Sequence, residues 1–186
     1  MNKFINFLFS WFVAFILVLP ILLISILIFL KDREPPLYLS CRIGKNNKKF
    51  LMPKFRTMRS NTPQEATHLL INPDDYLLST GRFLRKYSLD ELPQIISIIK
   101  GDMTFVGPRP ALYNQYDLIE LRNQRKISQL KPGITGWAQV NGRDDLLISD
   151  KVALDEEYLD NQSLFFDIKI LWLTFLRVIK RDGVSH

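Results

Sequence analysis

Between Phe4 and Leu30 the chain carries no charged side chain. A helix over that stretch would be roughly 40 Å long at about 1.5 Å per residue, enough to cross a hydrocarbon core of about 30 Å. The run is too long for a secretory signal, and no small-residue cleavage site follows it. Pro20 lies in its interior, where it removes one helical hydrogen bond and collides with the preceding turn. A spanning helix tolerates such a kink, so this pattern is compatible with crossing the membrane. Beyond Lys31-Asp32-Arg33-Glu34, Pro35 and Pro36 stop the helix. Lys54 and Arg56 then alternate with Phe55 as on a strand and share one face, and Lys45-Asn46-Asn47 marks the turn of a basic hairpin.

Further along, Asn72-Pro73-Asp74-Asp75 predicts a short helix through Leu78, with Pro73 in the first turn and acids at the positive end of the helix dipole. That placement makes Asp74-Asp75 a helix start rather than a metal site. Leu112 to Ile127 has the period of an amphipathic helix, with Leu112, Tyr116, Ile119 and Asn123 on one line. Lys131 to Arg143 is rich in turn residues, and Asn141-Gly142 is a hairpin-turn signal. The last segment, Phe165 to Arg181, has a wide apolar face (Ile168, Leu171, Trp172, Phe175, Val178, Ile179) and ends in Arg177, Lys180 and Arg181. Such a helix suits a core or a membrane interface, with Trp172 at head-group depth; a body that must dock on a bilayer favours the interface.

Charge adds direction to this outline. Only Lys3 precedes the apolar run, which leaves 25 − 1 = 24 of the Lys and Arg residues beyond it, together with all 19 acids. The positive-inside rule then places the body of the protein in the cytoplasm. One cysteine, Cys41, forms no internal disulfide and suits a reducing compartment. The 186 residues, of which 47% are hydrophobic, suffice for one domain plus a membrane element. No acid stands between Pro35 and Gln64, whereas Arg42, Lys45, Lys48, Lys49, Lys54, Arg56 and Arg59 do. A basic stretch beside a membrane element favours anionic head groups or phosphate ligands, with Lys54 and Arg56 as candidates for the latter. Two histidines, His68 and His186, provide no histidine metal cluster and no Ser-His-Asp triad.

Two adjacent acids, Asp90 and Glu91, open an apolar segment (Ile95, Ile96, Ile98, Ile99), and Arg109 follows locked between Pro108 and Pro110. Ser88-x-x-Glu91 has the form of a capping box, which taken alone favours a structural role for each acid. Pro93 argues against it, because in a helix begun at Leu89 it would fall in the second turn. With Pro93 at the first helical position instead, the acids lie in the turn before the helix and are freer to meet a ligand. Arg85, five residues before Asp90, is either a ligand of the same site or a surface arginine lying along apolar neighbours.

The run Ser88-Leu89-Asp90-Glu91-Leu92-Pro93-Gln94 through Lys100-Gly101-Asp102 to Val106-Gly107-Pro108-Arg109-Pro110 resembles the bacterial sugar transferases known as small monotopic phosphoglycosyl transferases. Lys54-Phe55-Arg56-Thr57-Met58 upstream and Lys131-Pro132-Gly133-Ile134-Thr135-Gly136-Trp137-Ala138-Gln139-Val140-Asn141-Gly142-Arg143 downstream share the likeness. It covers nearly the whole chain in the expected order, and several long motifs in register weigh far more than one short pattern. The resemblance implies an α+β fold. A membrane-embedded, re-entrant helix over 1–31, bent at Pro20, would precede a small, mainly helical cytoplasmic domain over 32–186, with short strands and an interfacial amphipathic helix. Two positions depart from the family, which often has serine before the helix proline and usually has glutamine two places before Arg42. This chain has Leu19 and Ser40 there.

The resemblance further implies transfer of a phosphosugar from a UDP-sugar to a polyprenyl phosphate, giving a polyprenyl diphosphate sugar and UMP, as the first membrane step of surface glycan or glycoprotein assembly. Asp90 would be the nucleophile and a ligand of Mg²⁺, Glu91 an assisting carboxylate, Arg85 a neighbour of the lipid phosphate, and Arg143 a contact of the nucleotide phosphates. A turn arginine in solvent is the plain alternative for Arg143. Arg109 suits phosphate by its planar fork. Mg²⁺ is the metal that one or two carboxylates plus substrate phosphates hold. Two rivals come from other classes: a basic membrane tether without enzymatic activity and a phosphatase of lipid diphosphates. The +6 charge permits the tether, but it does not explain paired acids beside a Pro-Arg-Pro, and no nucleic-acid partner is expected.

Overall fold

A computed structural model describes residues 3–62, 73–142 and 146–180. Helix α1 runs without interruption from Lys3 to Asp32 with Pro20 inside it. Although apolar all round, it uses one stripe for packing. Ala14, Leu17 and Ile21 lie against the main core, and Ile21, Ile24 and the fully buried Ile28 lie against a second cluster of Phe55, Leu78 and Leu84. Steps of three and four residues keep this stripe on one side of a helix. Phe15, Leu19, Phe29 and Leu30 remain exposed on the other sides. At its C-terminal end the Asp32 carboxylate accepts hydrogen bonds from the Ser79 amide (2.9 Å), the Ser79 hydroxyl (2.6 Å) and the Thr80 hydroxyl (2.6 Å).

Strands β1 (Leu37–Ile43) and β2 (Lys49–Phe55) form the expected antiparallel hairpin, with Tyr38 opposite Lys54 and Ser40 opposite Met52. Its turn holds Asn46 and Asn47 at positive φ, the conformation that asparagine tolerates best after glycine. Pro73–Tyr76 forms a single 3₁₀ turn; Asn72 lies outside the described residues. Helix α2 spans Gly81–Lys86, a 3₁₀ segment spans Leu89–Gln94, and helix α3 spans Ile95–Lys100. α3 lies between α1 and the core, its Ile95 and Ile98 buried with Met52, Met103, Phe105, Val140, Tyr158 and Ile170.

Strand β3 (Thr104–Val106) pairs in parallel with β4 (Gly133–Thr135). Helices α4 (Tyr116–Gln124), α5 (Trp137–Asn141), α6 (Ile148–Asp160) and α7 (Leu164–Lys180) complete the domain. The result is a mixed helical and strand fold with one long apolar N-terminal helix, as expected.

Three local expectations need correction. The helix foreseen from Leu112 to Ile127 is shorter, because Leu112 bridges Arg42 on the hairpin and its amide bonds the Gln115 side chain at 2.8 Å. Its most buried residue is Leu118, which clusters with Val152 of α6 while Ile119 of the foreseen line packs beside it, whereas Tyr116 is 73% exposed; Arg122 adds a polar contact with α6. Asn141-Gly142 makes no hairpin turn, since Asn141 ends α5 and its side-chain amide donates to the Trp137 carbonyl at 2.8 Å. On α7, Ile168, Trp172, Phe175 and Val178 are exposed as foreseen for an interfacial face, whereas Leu171 turns partly into the core beside the buried Ile170. The side chains of Ile179 and Lys180, and Arg181 as a whole, lie outside the described residues.

Candidate active site

The acid pair is placed by backbone chemistry that begins two elements upstream. A Cβ on Gly81 would stand 2.2 Å from the Thr57 carbonyl oxygen, so only glycine lets α2 start against the end of the hairpin. One turn later, the Arg85 Nε donates to the Thr57 hydroxyl at 3.0 Å. Ser88 takes a left-handed conformation (φ 54°) and makes no side-chain cap, so the capping box does not form. Asp90 and Glu91 lie in the 3₁₀ segment that precedes α3. Pro93 is buried within that segment, and the α-helix begins two residues later, at Ile95. A proline costs little there, where its missing N–H leaves no α-helical bond unmade.

Across from the acids, β2 supplies Lys54. Its ammonium donates to Glu91 Oε1 at 2.8 Å and stands 3.9 Å from Asp90 Oδ2. Arg109 donates to the same Glu91 oxygen from the other side at 3.2 Å. Three side chains close this group with little exposure: 14% for Lys54, 15% for Asp90 and 19% for Glu91. Burial alone would raise the Glu91 pKa, but Lys54 and Arg109 outweigh it and hold this carboxyl far below the usual range. Asp90 responds oppositely. Burial pushes its pKa up; Lys54 opposes that, and the charge of Glu91 reinforces it. Arg85 faces Asp90 as a more distant cation, its own pKa drawn down by burial. Among the described residues the Asp90 carboxylate accepts no hydrogen bond, whereas that of Glu91 accepts two, so the two neighbouring carboxylates differ in kind. One is fixed by two cations that favour its ionised form, and the other is available.

Arg109 reaches this group because two motifs far apart in sequence press together backbone to backbone. A Cβ on Gly107 would meet the Lys131 carbonyl oxygen at 2.5 Å, and one on Gly136 would meet the Gly107 carbonyl oxygen at 2.1 Å. Neither position admits a larger residue. The seam is closed by the Gly107 amide donating to the Thr135 carbonyl and the Gly133 amide donating to the Pro108 carbonyl, both at 2.9 Å.

Of the residues singled out from sequence, Lys54, Asp90, Glu91 and Arg109 come together, and Arg85 is near enough for its charge to act on Asp90. Arg56 has other partners: its Nε donates to the Pro35 carbonyl at 2.8 Å, and its guanidinium lies over the Tyr38 ring. Arg143 lies outside the described residues. Ser40, where the family resemblance leads one to expect glutamine, is buried and accepts from Arg42 Nε at 3.0 Å, while Arg42 Nη1 donates to the Pro110 carbonyl at 3.1 Å. Sequence reasoning missed Thr57, the support of Arg85, as well as the pairs Arg122–Asp155 and Tyr158–Asp167. The paired acids and the Pro-Arg-Pro were legible as motifs, but the partners that support them are isolated polar residues, Thr57 just after β2 and the others on helices.

No group of three or more metal-ligating side chains occurs among the described residues. An Mg²⁺ that keeps several waters and takes its other ligands from substrate phosphates needs only one or two carboxylates. Asp90, with its oxygens unbonded, fits that requirement; Glu91, engaged by two cations, has less to offer.

Known proteins resemble this chain over most of its length. The family model described as bacterial sugar transferase matches residues 1–181. The uncharacterized sugar transferase EpsL of Bacillus subtilis is 42% identical, over 84% of this chain and 76% of its own length. The exopolysaccharide production protein ExoY of Rhizobium meliloti is 37% identical, over 92% of this chain and 82% of its own. The undecaprenyl-phosphate galactose phosphotransferase of Salmonella typhimurium is 36% identical over 82% of this chain, which corresponds to 35% of that longer protein. Several further relatives are likewise longer, so that this chain spans less than two fifths of each. A match along almost the whole sequence, with the acid pair and the Pro-Arg-Pro meeting in space, is decisive: the chain belongs to the bacterial sugar transferase family.

Proposed function

We propose that this protein transfers a phosphosugar from a UDP-sugar to a polyprenyl phosphate at the cytoplasmic face of a bacterial membrane. The observation that carries the reading is the division of labour between Asp90 and Glu91. An Asp90 oxygen attacks the phosphorus that bears the sugar, the bond from that phosphorus to the UMP oxygen breaks, and UMP leaves with the electron pair. An oxygen of the polyprenyl phosphate then attacks the same phosphorus and releases the Asp90 carboxylate, the two-step pattern of covalent catalysis. Glu91 holds Lys54 and Arg109 beside the reacting group, where their charges face the diphosphate. Arg85, behind Asp90, faces the second, lipid-borne phosphate. Mg²⁺, held by Asp90 together with substrate oxygens, would offset the charge repulsion between a carboxylate and a diphosphate. Undecaprenyl-phosphate sugar phosphotransferases among the relatives support the substrate class.

The membrane element fits a surface reaction between a soluble donor and a lipid acceptor. α1 touches the domain near both of its ends: the Phe9 ring lies 5.0 Å from the Phe105 ring, and Ile28 is buried with Phe55 and Leu84. The nineteen steps from Phe9 to Ile28 (28 − 9 = 19) rise about 28 Å along a helix, close to the thickness of the hydrocarbon core. A domain that packs along such a length cannot stand wholly outside a bilayer that the helix crosses upright. This supports a monotopic arrangement, although α1 runs uninterrupted through Pro20 and shows no break that would fold it into a hairpin. The exposed face of α7 (Ile168, Trp172, Phe175) suits the same interface.

Enzyme mixed with a panel of UDP-sugars, without lipid, should release up to about one UMP per active site and gain a phosphosugar on the peptide containing Asp90; release of UMP with no adduct would exclude the covalent route. Both events should stop in a chelator of divalent ions and return with Mg²⁺. For topology, Asn2→Cys and Lys31→Cys in a variant lacking Cys41 should both resist an impermeant thiol reagent in intact cells. Labelling of the Asn2 position alone would mean a spanning helix.

A further inference from the structure

Pro108 and Pro110 flank Arg109, and neither has an N–H, so the segment can be anchored chiefly through its carbonyl groups. Each carbonyl from Pro108 to Ala111 does receive a donor from a different part of the chain. The Gly133 amide reaches Pro108 at 2.9 Å, Arg122 Nη1 reaches Arg109 at 2.8 Å, Arg42 Nη1 reaches Pro110 at 3.1 Å, and the Ile43 amide reaches Ala111 at 3.0 Å. Arg122 is the one that grips the arginine facing Glu91. Its Nε and Nη2 are both taken by Asp155 Oδ2, at 3.0 and 2.6 Å, leaving Nη1 aimed at the Arg109 carbonyl. The pair is buried, the side chains 12% and 2% exposed, and nothing in the proposed chemistry uses it. Holding α4 to α6 could be done more cheaply by apolar contacts, since a buried ion pair commonly adds little net stability. What apolar residues could not supply is a donor to the Arg109 carbonyl.

We propose that Arg122, oriented by Asp155, is a positioning residue that fixes Arg109 for phosphate binding; the role rests on the phosphosugar transfer proposed above. A guanidinium is required because one planar fork serves carboxylate and carbonyl together, whereas a lysine ammonium at the end of its flexible stem does not hold both in fixed geometry.

The test uses the full chain in lipid nanodiscs. Arg122→Met with Asp155→Leu removes the donor while replacing the ion pair by apolar volume, which spares the fold; Arg122→Lys keeps the pairing charge and serves as the second variant. Hydrogen exchange in the peptide 107–112, whose amides are those of Gly107, Arg109, Ala111 and Leu112, should quicken by roughly tenfold or more in both variants, with exchange in α1 unchanged. UMP release from a UDP-sugar with polyprenyl phosphate should fall about tenfold, and should fall no further when the same changes are made in an Arg109→Lys background. Unchanged exchange in 107–112, or losses that multiply with that of Arg109→Lys, would overturn the role of Arg122. The exchange measurement stands apart from the reaction. If wild-type enzyme turned over no UDP-sugar, the proposed activity would fall, and exchange would still decide whether Arg122 fixes the segment.

Discussion

Two carboxylates in this protein sit beside arginines in poorly hydrated surroundings, and they are treated in opposite ways. Asp155 is 1% exposed and accepts two hydrogen bonds from Arg122. Asp90 accepts none from the described residues, although Lys54, Arg85 and Arg109 all act on its charge. Burial raises the pKa of both, so the difference is not one of dielectric surroundings. It lies in whether the lone pairs are spoken for. A carboxylate whose bonds are made holds helices together, and one left with cations near but not bonded has stabilisation to gain only when something else arrives. Glu91, adjacent to Asp90 yet bonded by Lys54 and Arg109, belongs with Asp155 in this respect.

The contrast is tested most severely at Asp90 itself. Asp90→Asn should abolish the covalent adduct and lower UMP release by about a thousandfold or more, at least about 4 kcal/mol of transition-state stabilisation. Its thermal midpoint should stay at or above that of the wild type, because a charge disfavoured by burial is removed. An Asp90→Asn protein that still forms the adduct would move the nucleophile to Glu91. Asp155→Ala should do the reverse and lower unfolding stability by about 3 kcal/mol, since it strands a buried guanidinium, with a smaller loss of turnover. Denaturant melts with the UMP assay would separate the two classes, and equal loss of stability in both variants would erase the distinction. Arg109→Lys comes next. It should cost about 2 kcal/mol in kcat/KM, roughly thirtyfold, with the protein still folded and membrane-bound, because an ammonium cannot reproduce the guanidinium fork.

The smallest expected effect concerns pH. In the proposed reaction the nucleophile must be ionised, and the upward shift of the Asp90 pKa by burial keeps it protonated to higher pH than an ordinary aspartate, near 3.9. The acid limb of the rate profile should therefore lie above that value, and should move to lower pH in Glu91→Gln, which removes a like charge and leaves Lys54 and Arg109 to Asp90. A limb that stays in place in that variant would mean that another group controls it.

Much of this protein was settled by local chemistry. The uncharged run from Phe4 to Leu30 gives a continuous helix with an apolar outer surface. Lys45-Asn46-Asn47 turns a hairpin because asparagine accepts positive φ. Pro93 keeps the acids ahead of the α-helix, and the motifs name Asp90, Glu91 and Arg109 before any coordinates. What sequence could not settle depends on approach between distant segments. Leu112 leaves its helical pattern because a hairpin strand lies close enough to bridge it. Asn141-Gly142 ends a helix because the Asn141 side-chain amide and the Gly142 N–H find carbonyl partners in the preceding turn. Arg56 and Lys54 share a strand pattern, but only Lys54 meets the acids; the proline carbonyl after α1 claims the other. Residue types and spacing fix local conformational preference and the kind of chemistry available. Which of two equivalent acids is left without a hydrogen bond depends on donors brought from β2 and from the Gly107–Gly133 seam, and only the packed chain decides which oxygen they reach.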